Sequence, residues 1–219
     1  MELLQNGEIE VIGRISTASN FSLYCKISDE VNTVNAIYKP VSGEKELWDF
    51  PDGHLASREV ATYLVSEALG LHCVPLTIMR DGPYGEGSVQ LWIDEVDEIE
   101  DEFAEVTDEL RKIALLDAVV NNTDRKISHL LFKEGKVLGC DHGVTFHEDY
   151  KLRTVIWQFS GMALTEEELK KLKSFNLDLS DYLTTAEMRA LDQRISALIE
   201  ERVFPAPPTD WPAVPWPIY

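Results

Sequence analysis

Residues 117–132, DAVVNNTDRKISHLLF, and residues 139–143, GCDHG, place two aspartates at the ends of regular elements. Upstream of the first stretch, Leu110, Ile113, Ala114, Asp117 and Val120 recur at helical spacing. The run Asn121-Asn122-Thr123-Asp124 is rich in residues that favour turns, so the helix ends there. HLLF (129–132) and KVLGC (136–140) then read as a short hairpin around Glu134-Gly135. Asp124 therefore follows a helix, and Asp141 follows a strand, two residues before Gly143.

Toward the N-terminus the chain is mostly sheet. GEIEVIGRI (7–15) and FSLYCKI (21–27) alternate apolar and polar residues, as half-buried strands do, around the small-residue turn STASN (16–20). NAIYKP (35–40) is a third strand, ended by Pro40. Residues 56–69 switch to a helical period, with Val60, Leu64, Ala68 and Leu69 on one face and Gly70 as the stop. CVPLTIMR (73–80) and SVQLWID (88–94) are two more strands, separated by the turn DGPYGEG (81–87). Trp48, Phe50 and Trp92 are expected in the core.

Toward the C-terminus, residues 94–109 hold ten acidic side chains and no basic one, and read as a solvated face or linker. Thr165-x-x-Glu168 and Thr184-x-x-Glu187 are capping boxes that start two helices. The second leads into the stripe Met188, Leu191, Ile195, Leu198, Ile199. The tail from Phe204 to Tyr219 has six prolines plus Trp211 and Trp216, so it cannot be a regular helix and is expected to lie extended on the domain.

Composition narrows the function classes. The 219 residues carry 39 acidic against 20 basic side chains, a net charge of −19. That opposes non-specific DNA binding, which needs Lys and Arg to displace counterions, and docking on an anionic membrane. Cys25, Cys73 and Cys140 are scattered, which indicates neither a disulfide framework nor a zinc finger. The N-terminus lacks the pattern of a secretory signal and no run of 18 apolar residues exists. A soluble, cytoplasmic monomer that binds no nucleic acid and no membrane stably is expected.

In chain order, a strand lysine (Lys39), a helix glutamate (Glu59), a loop aspartate (Asp124) and a second loop aspartate (Asp141) form the set used for phosphoryl transfer by protein-kinase-like folds. The strand lysine meets nucleotide phosphates and the helix glutamate holds it. The first aspartate orients the acceptor hydroxyl. The second, with a ligand five residues after the first, holds a divalent metal. A zinc site from His129, His142, His147 and Asp141 is the competing reading, at a spacing that matches no standard pair.

DAVVNNTDRKISHLLF and GCDHG resemble the catalytic and metal loops of the phosphatidylinositol 3-/4-kinase-related superfamily and of HipA-like kinases. AIYKP (36–40) looks like the nucleotide-lysine strand of type II phosphatidylinositol 4-kinases. WDFPDGHLASREVATYLVSEALG (48–70), with RDGPYGEGSVQLWID (80–94), resembles small actinobacterial proteins described as phosphatidylinositol-kinase-related, over nearly the whole chain.

The resemblance implies an α+β, two-lobed protein-kinase-like fold: a sheet-rich N-lobe over 1–93, a helical C-lobe over 94–203 and a packed tail over 204–219. It implies Lys39 and Glu59 at the nucleotide phosphates, catalytic Asp124, Lys126 at the γ-phosphate, and His129 and Asp141 as metal ligands. His129 departs from the usual Asn, and His142 from the usual Phe. No Gly-rich loop is present; Ser16, Thr17, Ser19 and Asn20 are its candidate substitutes. Gln90, Leu91 and Trp92 are expected at the adenine edge, with Ile15 and Ile37 on its faces.

The implied cofactor is ATP with Mg or Mn, and the acceptor a protein or soluble small molecule rather than a lipid. A nucleotide-binding pseudokinase, or nucleotidyl transfer on the same fold, are the alternatives.

Overall fold

The computed structural model describes residues 1–15, 21–51, 53–97 and 107–219. The candidates Ser16, Thr17, Ser19 and Asn20 lie outside the described residues, as does most of the acidic run.

The N-terminal half is a five-stranded antiparallel sheet of β1 (Glu8–Arg14), β2 (Leu23–Ser28), β3 (Thr33–Pro40), β4 (Thr77–Gly82) and β5 (Gly85–Leu91), in the order β1-β2-β3-β5-β4. Alternation sorts β3 onto two faces. Ala36 and Tyr38 join Leu23, Cys25, Ile27 and Val89 in an apolar cluster on one face. Leu4, from the short helix α1 (Glu2–Asn6), joins that cluster, and Arg80 caps the helix end through the Leu4 and Gly7 carbonyls at 2.6 and 3.0 Å. Helix α1 has too few residues to show a period and was not foreseen. Ile37 and Lys39 point to the other face, opposite Gln90 and Ser88.

That face carries α2 (Leu55–Ala68), started by Ala56 N–H donating to Glu44 Oε1 at 2.7 Å and ended beside Gly70 at φ +60°. The expected stripe of α2 is corrected in part. Val60 and Leu69 are buried as expected, but Leu64 is only half-buried and Ala68 exposed, while Ala61 and Val65 are buried beside the polar residues Arg58, Thr62 and Ser66. Here the helix is wedged between sheet and C-terminal half, and two buried sides leave no simple apolar stripe.

The C-terminal half holds α3 (Thr107–Val120), the hairpin β6 (Leu130–Lys133) and β7 (Lys136–Gly139), α4 (Glu166–Ser174) and α5 (Thr185–Glu201). Both capping boxes form, at Thr165 with Glu168 and at Thr184 with Glu187. Leu110, Ile113, Leu116, Leu191, Ile195 and Leu198 meet in one core.

Three further expectations shift. β4 begins only at Thr77, after Pro75, and the stretch expected as a turn supplies the facing ends of β4 and β5. β5 ends at Leu91, before Trp92. Trp48 is 84% exposed and Trp92 36%, so neither is core, whereas Phe50 is buried under the Arg58 guanidinium, 5.0 Å from its ring. The tail is extended, as its prolines require, and lies across the C-terminal half through backbone bonds described below.

Candidate active site

Four elements converge where the sheet meets the C-terminal half. Lys39, one residue before the end of β3, reaches α2, where its Nζ donates to Glu59 Oε1 at 2.5 Å, and the loop after β7, where it donates to Asp141 Oδ1 at 2.9 Å. The other Asp141 oxygen, Oδ2, lies 3.3 Å from His129 Nε2. His129 closes a 3-10 turn, Ile127–His129, between the loop of Asp124 and β6. Asp124 Oδ2 pairs with Lys126 Nζ at 3.2 Å. Lys39, Glu59, His129 and Asp141 are thus one contiguous chain of contacts, with the Asp124–Lys126 pair at its side.

Electrostatics follow from the packing. Burial works to lower the Lys39 pKa, but the Asp141 and Glu59 carboxylates override it and hold the ammonium firmly charged. Lys39, ahead of a burial effect of opposite sign, holds Asp141 well below the carboxylate range. Burial pushes His129 down against the pull of Asp141, so its imidazole is neutral and able to ligate. Its Nδ1 and Glu59 Oε2 are buried and have no hydrogen-bond partner among the described residues. Asp141 itself sits at φ +58°, a left-handed conformation costly for a non-glycine residue, which turns its carboxylate back toward Lys39.

Beneath this chain lies a buried polar network that the sequence reading missed. Arg125, fully buried, donates through Nε to Asp117 Oδ2 at 3.0 Å and through Nη2 to Asp117 Oδ1 at 2.9 Å. The same guanidinium donates to the carbonyls of His129 and Cys140 at 3.2 and 3.0 Å, and to His142 Nε2 at 2.6 Å. Burial, reinforced by Arg125, keeps His142 neutral, so its proton resides on Nδ1. Arg125 thereby ties α3 to both aspartate loops. Fully buried and paired with Asp117, it belongs to this support and offers no charge to a surface phosphate. Asn122 adds a second tie, donating to Asp117 and accepting from Asp124 N–H at 3.0 Å. One signal was present in the sequence: Asp117 is a charged residue on the apolar face of a helix.

The zinc reading fails on geometry. His142 is engaged by Arg125, and His147 by Lys151 at 3.0 Å and the Asp149 amide at 2.9 Å. Among the described residues, no group of three or more His, Cys, Asp and Glu side chains could hold a metal ion. Burial pushes the Cys140 thiol up to about 12, which leaves it inert.

At the strand expected to meet adenine, the backbone is largely committed. Gln90 is buried, donating to Thr77 Oγ1 at 2.8 Å. The amides of Leu91 and Trp92 donate to the carbonyls of Leu76 and Asn35 at 2.8 and 3.0 Å. Those two amides are therefore not free to meet a ligand. Next to them, Trp92, Ile93, Asp94, Leu138 and the hairpin lysines line a cavity of about 370 Å³. Ile37 lies on the Lys39 side of β3 and Ile15 follows β1.

No helix among the described residues is long and apolar enough to cross a membrane. No family model matches the chain. Among solved structures it is similar to the Golgi casein kinase with Mn/ADP bound (TM-score 0.60, 14% identity, 90% of this chain and 73% of that one). It is also similar to hydra Fam20 with sugar (0.59, 13%, 91% and 86%). A third likeness is to the Helicobacter pylori proinflammatory kinase CtkA (0.51, 9%, 92% and 94%). At these identities the likeness is one of fold, and the fold is protein-kinase-like, an antiparallel sheet lobe joined to a helical lobe. In sequence the chain is 35% identical to Protein Rv2133c of Mycobacterium tuberculosis, over 99% of this chain and 94% of that protein. A likeness of that depth over the full length of both means that the chain belongs to the family of Rv2133c.

Proposed function

We propose that this protein is an ATP- and divalent-metal-dependent phosphotransferase, with lobes dividing near residue 93. The observation that carries the reading is Lys39 held between Glu59 and Asp141, with His129 on the far oxygen of Asp141. Such a lysine meets nucleotide phosphates as a fixed cation, and Asp124 orients an acceptor hydroxyl while Lys126 faces the transferred group. Glu59 sets the reach of Lys39.

His129 and Asp141 suit a divalent ion: a neutral imidazole and an ionised carboxylate face one another, and nucleotide oxygens and water would complete the shell. The bound ion would neutralise charge on the phosphates. An imidazole donor favours Mn²⁺ over Mg²⁺. The Mn/ADP bound in the Golgi casein kinase structure supports the choice of ligand.

The acceptor is a protein or soluble small molecule. The resemblance to phosphatidylinositol 3-/4-kinase-related proteins gives the chemistry, but a chain of net charge −19 is a poor fit to an anionic bilayer.

A regulatory nucleotide-binding module is the second reading. It is favoured by the closure of Asp124 on Lys126 and of Asp141 on Lys39 and His129. Turnover of ATP labelled at the α- or γ-phosphate, with Mn²⁺ or Mg²⁺, separates the readings in wild type, Asp124→Ala and Asp141→Ala. γ-Label transfer lost in both variants is expected. Equal transfer in all three would refute the assignment, α-label transfer would indicate nucleotidyl transfer, and binding without transfer would favour the regulatory module.

A further inference from the structure

Helix α2 presents Glu59 to the site, yet its next-door residue makes the stronger attachment to the other half of the molecule. Arg58 is buried, and its Nε and Nη2 donate to Glu187 Oε1 at 3.1 and 2.5 Å. Glu187 is also committed: its Oε2 accepts from the backbone N–H and the hydroxyl of Thr184 at 2.9 and 3.0 Å, closing the capping box of α5. One carboxylate thus starts α5 with one oxygen and holds α2 with the other. The planar guanidinium lies over the Phe50 ring, which fixes its plane as well as its charge.

One turn further along the same face, Thr62 Oγ1 lies 3.3 Å from Thr145 Oγ1, and Thr145 Oγ1 donates to the His142 carbonyl at 2.8 Å. The loop of Asp141 also abuts α2 directly: a Cβ on Gly143 would come within 3.3 Å of Leu55 Cβ. So α2 is keyed to α5 and to the Asp141 loop along one side.

Successive helical residues point roughly 100° apart. Arg58 toward α5 therefore dictates Glu59 toward Lys39, and a rotation that released Arg58 would swing Glu59 out of the site. Among the described residues Glu59 Oε2 has no hydrogen-bond partner, so Lys39 is the contact that holds this carboxylate. We infer that Arg58, clamped by Glu187, is a positioning residue that fixes the rotation of α2 and so keeps the Lys39–Glu59 pair formed without any activating signal. The inference deepens the nucleotide-site reading given above and rests on it. Removing one side of this buried pair also costs stability, so the positioning role is read in ligand affinity and not in melting.

The test is a thermodynamic cycle on affinity for ADP with Mn²⁺, by calorimetry, in wild type, Arg58→Met, Arg58→Lys, Lys39→Met and Arg58→Met/Lys39→Met. Arg58→Met is expected to weaken binding about tenfold, the usual scale of coupling within one hydrogen-bonded network. Arg58→Lys recovers part of the loss. In the Lys39→Met background Arg58→Met should cost less than about twofold, because the residue acts through Lys39. Equal fold losses in both backgrounds, or no loss in either, would overturn the positioning role. Absence of ADP binding in wild type would instead remove the nucleotide reading and this inference with it, a failure visible before any variant is compared. Should Arg58→Met not fold, Arg58→Lys and Arg58→Lys/Lys39→Met complete the same cycle and decide the matter.

Discussion

Replacing Arg125 by methionine should be among the most damaging single substitutions in the chain, and its cost can be worked from the contacts. Arg125 is fully buried and Asp117 is 1% exposed. Removing the guanidinium strands the Asp117 carboxylate with the Asn122 amide at 2.9 Å as its remaining side-chain donor. Breaking one side of a buried ion pair costs about 3–5 kcal/mol. For 219 residues, at roughly 2.1 cal/mol/K per residue, the melting entropy is about 0.46 kcal/mol/K, so Tm should fall by about 7–11 °C.

The double variant Asp117→Leu/Arg125→Met tests the cause. It removes the stranded charge, but the His129 and Cys140 carbonyls and His142 Nε2 remain without their donor. These orphans are common to the single and the double variant, so they hold the double below wild type without changing the order of the two. The double should therefore melt above the single variant and below wild type. Calorimetry with a reversibility check reads both numbers. A single-variant shift under about 2 °C, or a double variant below the single, would refute the assignment of Arg125 as the buried tie between the two loops.

Three further expectations are open to measurement. His142 and His129 have pKa values depressed by burial, so the unfolded chain takes up protons that the native one refuses as pH falls below about 6.5. Stability should then drop toward pH 5 by up to about 1.4 kcal/mol per unit per histidine. Below about pH 4, loss of the depressed Asp141 adds to it. Urea midpoints flat from pH 7 to 5 would contradict this, and His142→Gln should flatten the curve. Deleting residues 211–219 removes the Ala213 carbonyl, which accepts from Thr154 N–H and Trp157 Nε1–H at 3.0 and 2.7 Å, and the Ile218 carbonyl, which accepts from Ile127 N–H at 2.8 Å. The Ile127 amide should then lose its protection in hydrogen exchange; full protection after deletion would show that the tail does not hold the Asp124 loop. His129→Asn should narrow the preference for Mn²⁺ over Mg²⁺ in ADP affinity, and an unchanged ratio would place the ion elsewhere.

Local rules carried much of this structure. The capping boxes at Thr165 and Thr184, the hairpin at Glu134-Gly135 and the α2 stop at Gly70 depend on a few adjacent residues, so they are visible in one dimension. The order of Lys39, Glu59, Asp124 and Asp141 was legible for the same reason that the fold was: each lies in a regular element or in the loop just after one. The support was not. Arg125 with Asp117, and Arg58 with Glu187, are charges that sequence reading assigns to solvent, and they are buried only because their partners arrive from 8 and 129 residues away. Trp48 failed in the opposite sense. It sits outside the core with Lys151 Nζ 5.3 Å from its ring, an aromatic serving a cation at the surface.

Charge at the site makes a last expectation sharp. Net charge is −19 over the chain, but the balance that a nucleotide meets is local. Lys39 and Lys126 are the two lysines of the site, and they are paired with three carboxylates, Glu59, Asp124 and Asp141. Arg125 adds nothing, since Asp117 neutralises it below the surface. The site thus carries an excess of one negative charge before any ligand arrives, and His129, being neutral, does not correct it. A nucleoside diphosphate brings two to three more negative charges into a place where Asp141 is held ionised. Only a cation arriving with the phosphates can make that approach favourable, and Asp141 and His129 are the pair proposed to receive it. ADP should therefore bind measurably with Mn²⁺ and lose at least about tenfold in affinity in a chelator, on the scale of one ordinary charge-assisted contact. Asp141→Asn should lose most of that metal dependence while retaining some metal-free binding, because it removes both the metal ligand and one repelling charge. Equal affinity for ADP with metal and with chelator in the wild type would mean that the phosphates lie elsewhere, and that the Lys39–Glu59–Asp141 chain is a structural ion-pair network rather than a nucleotide site.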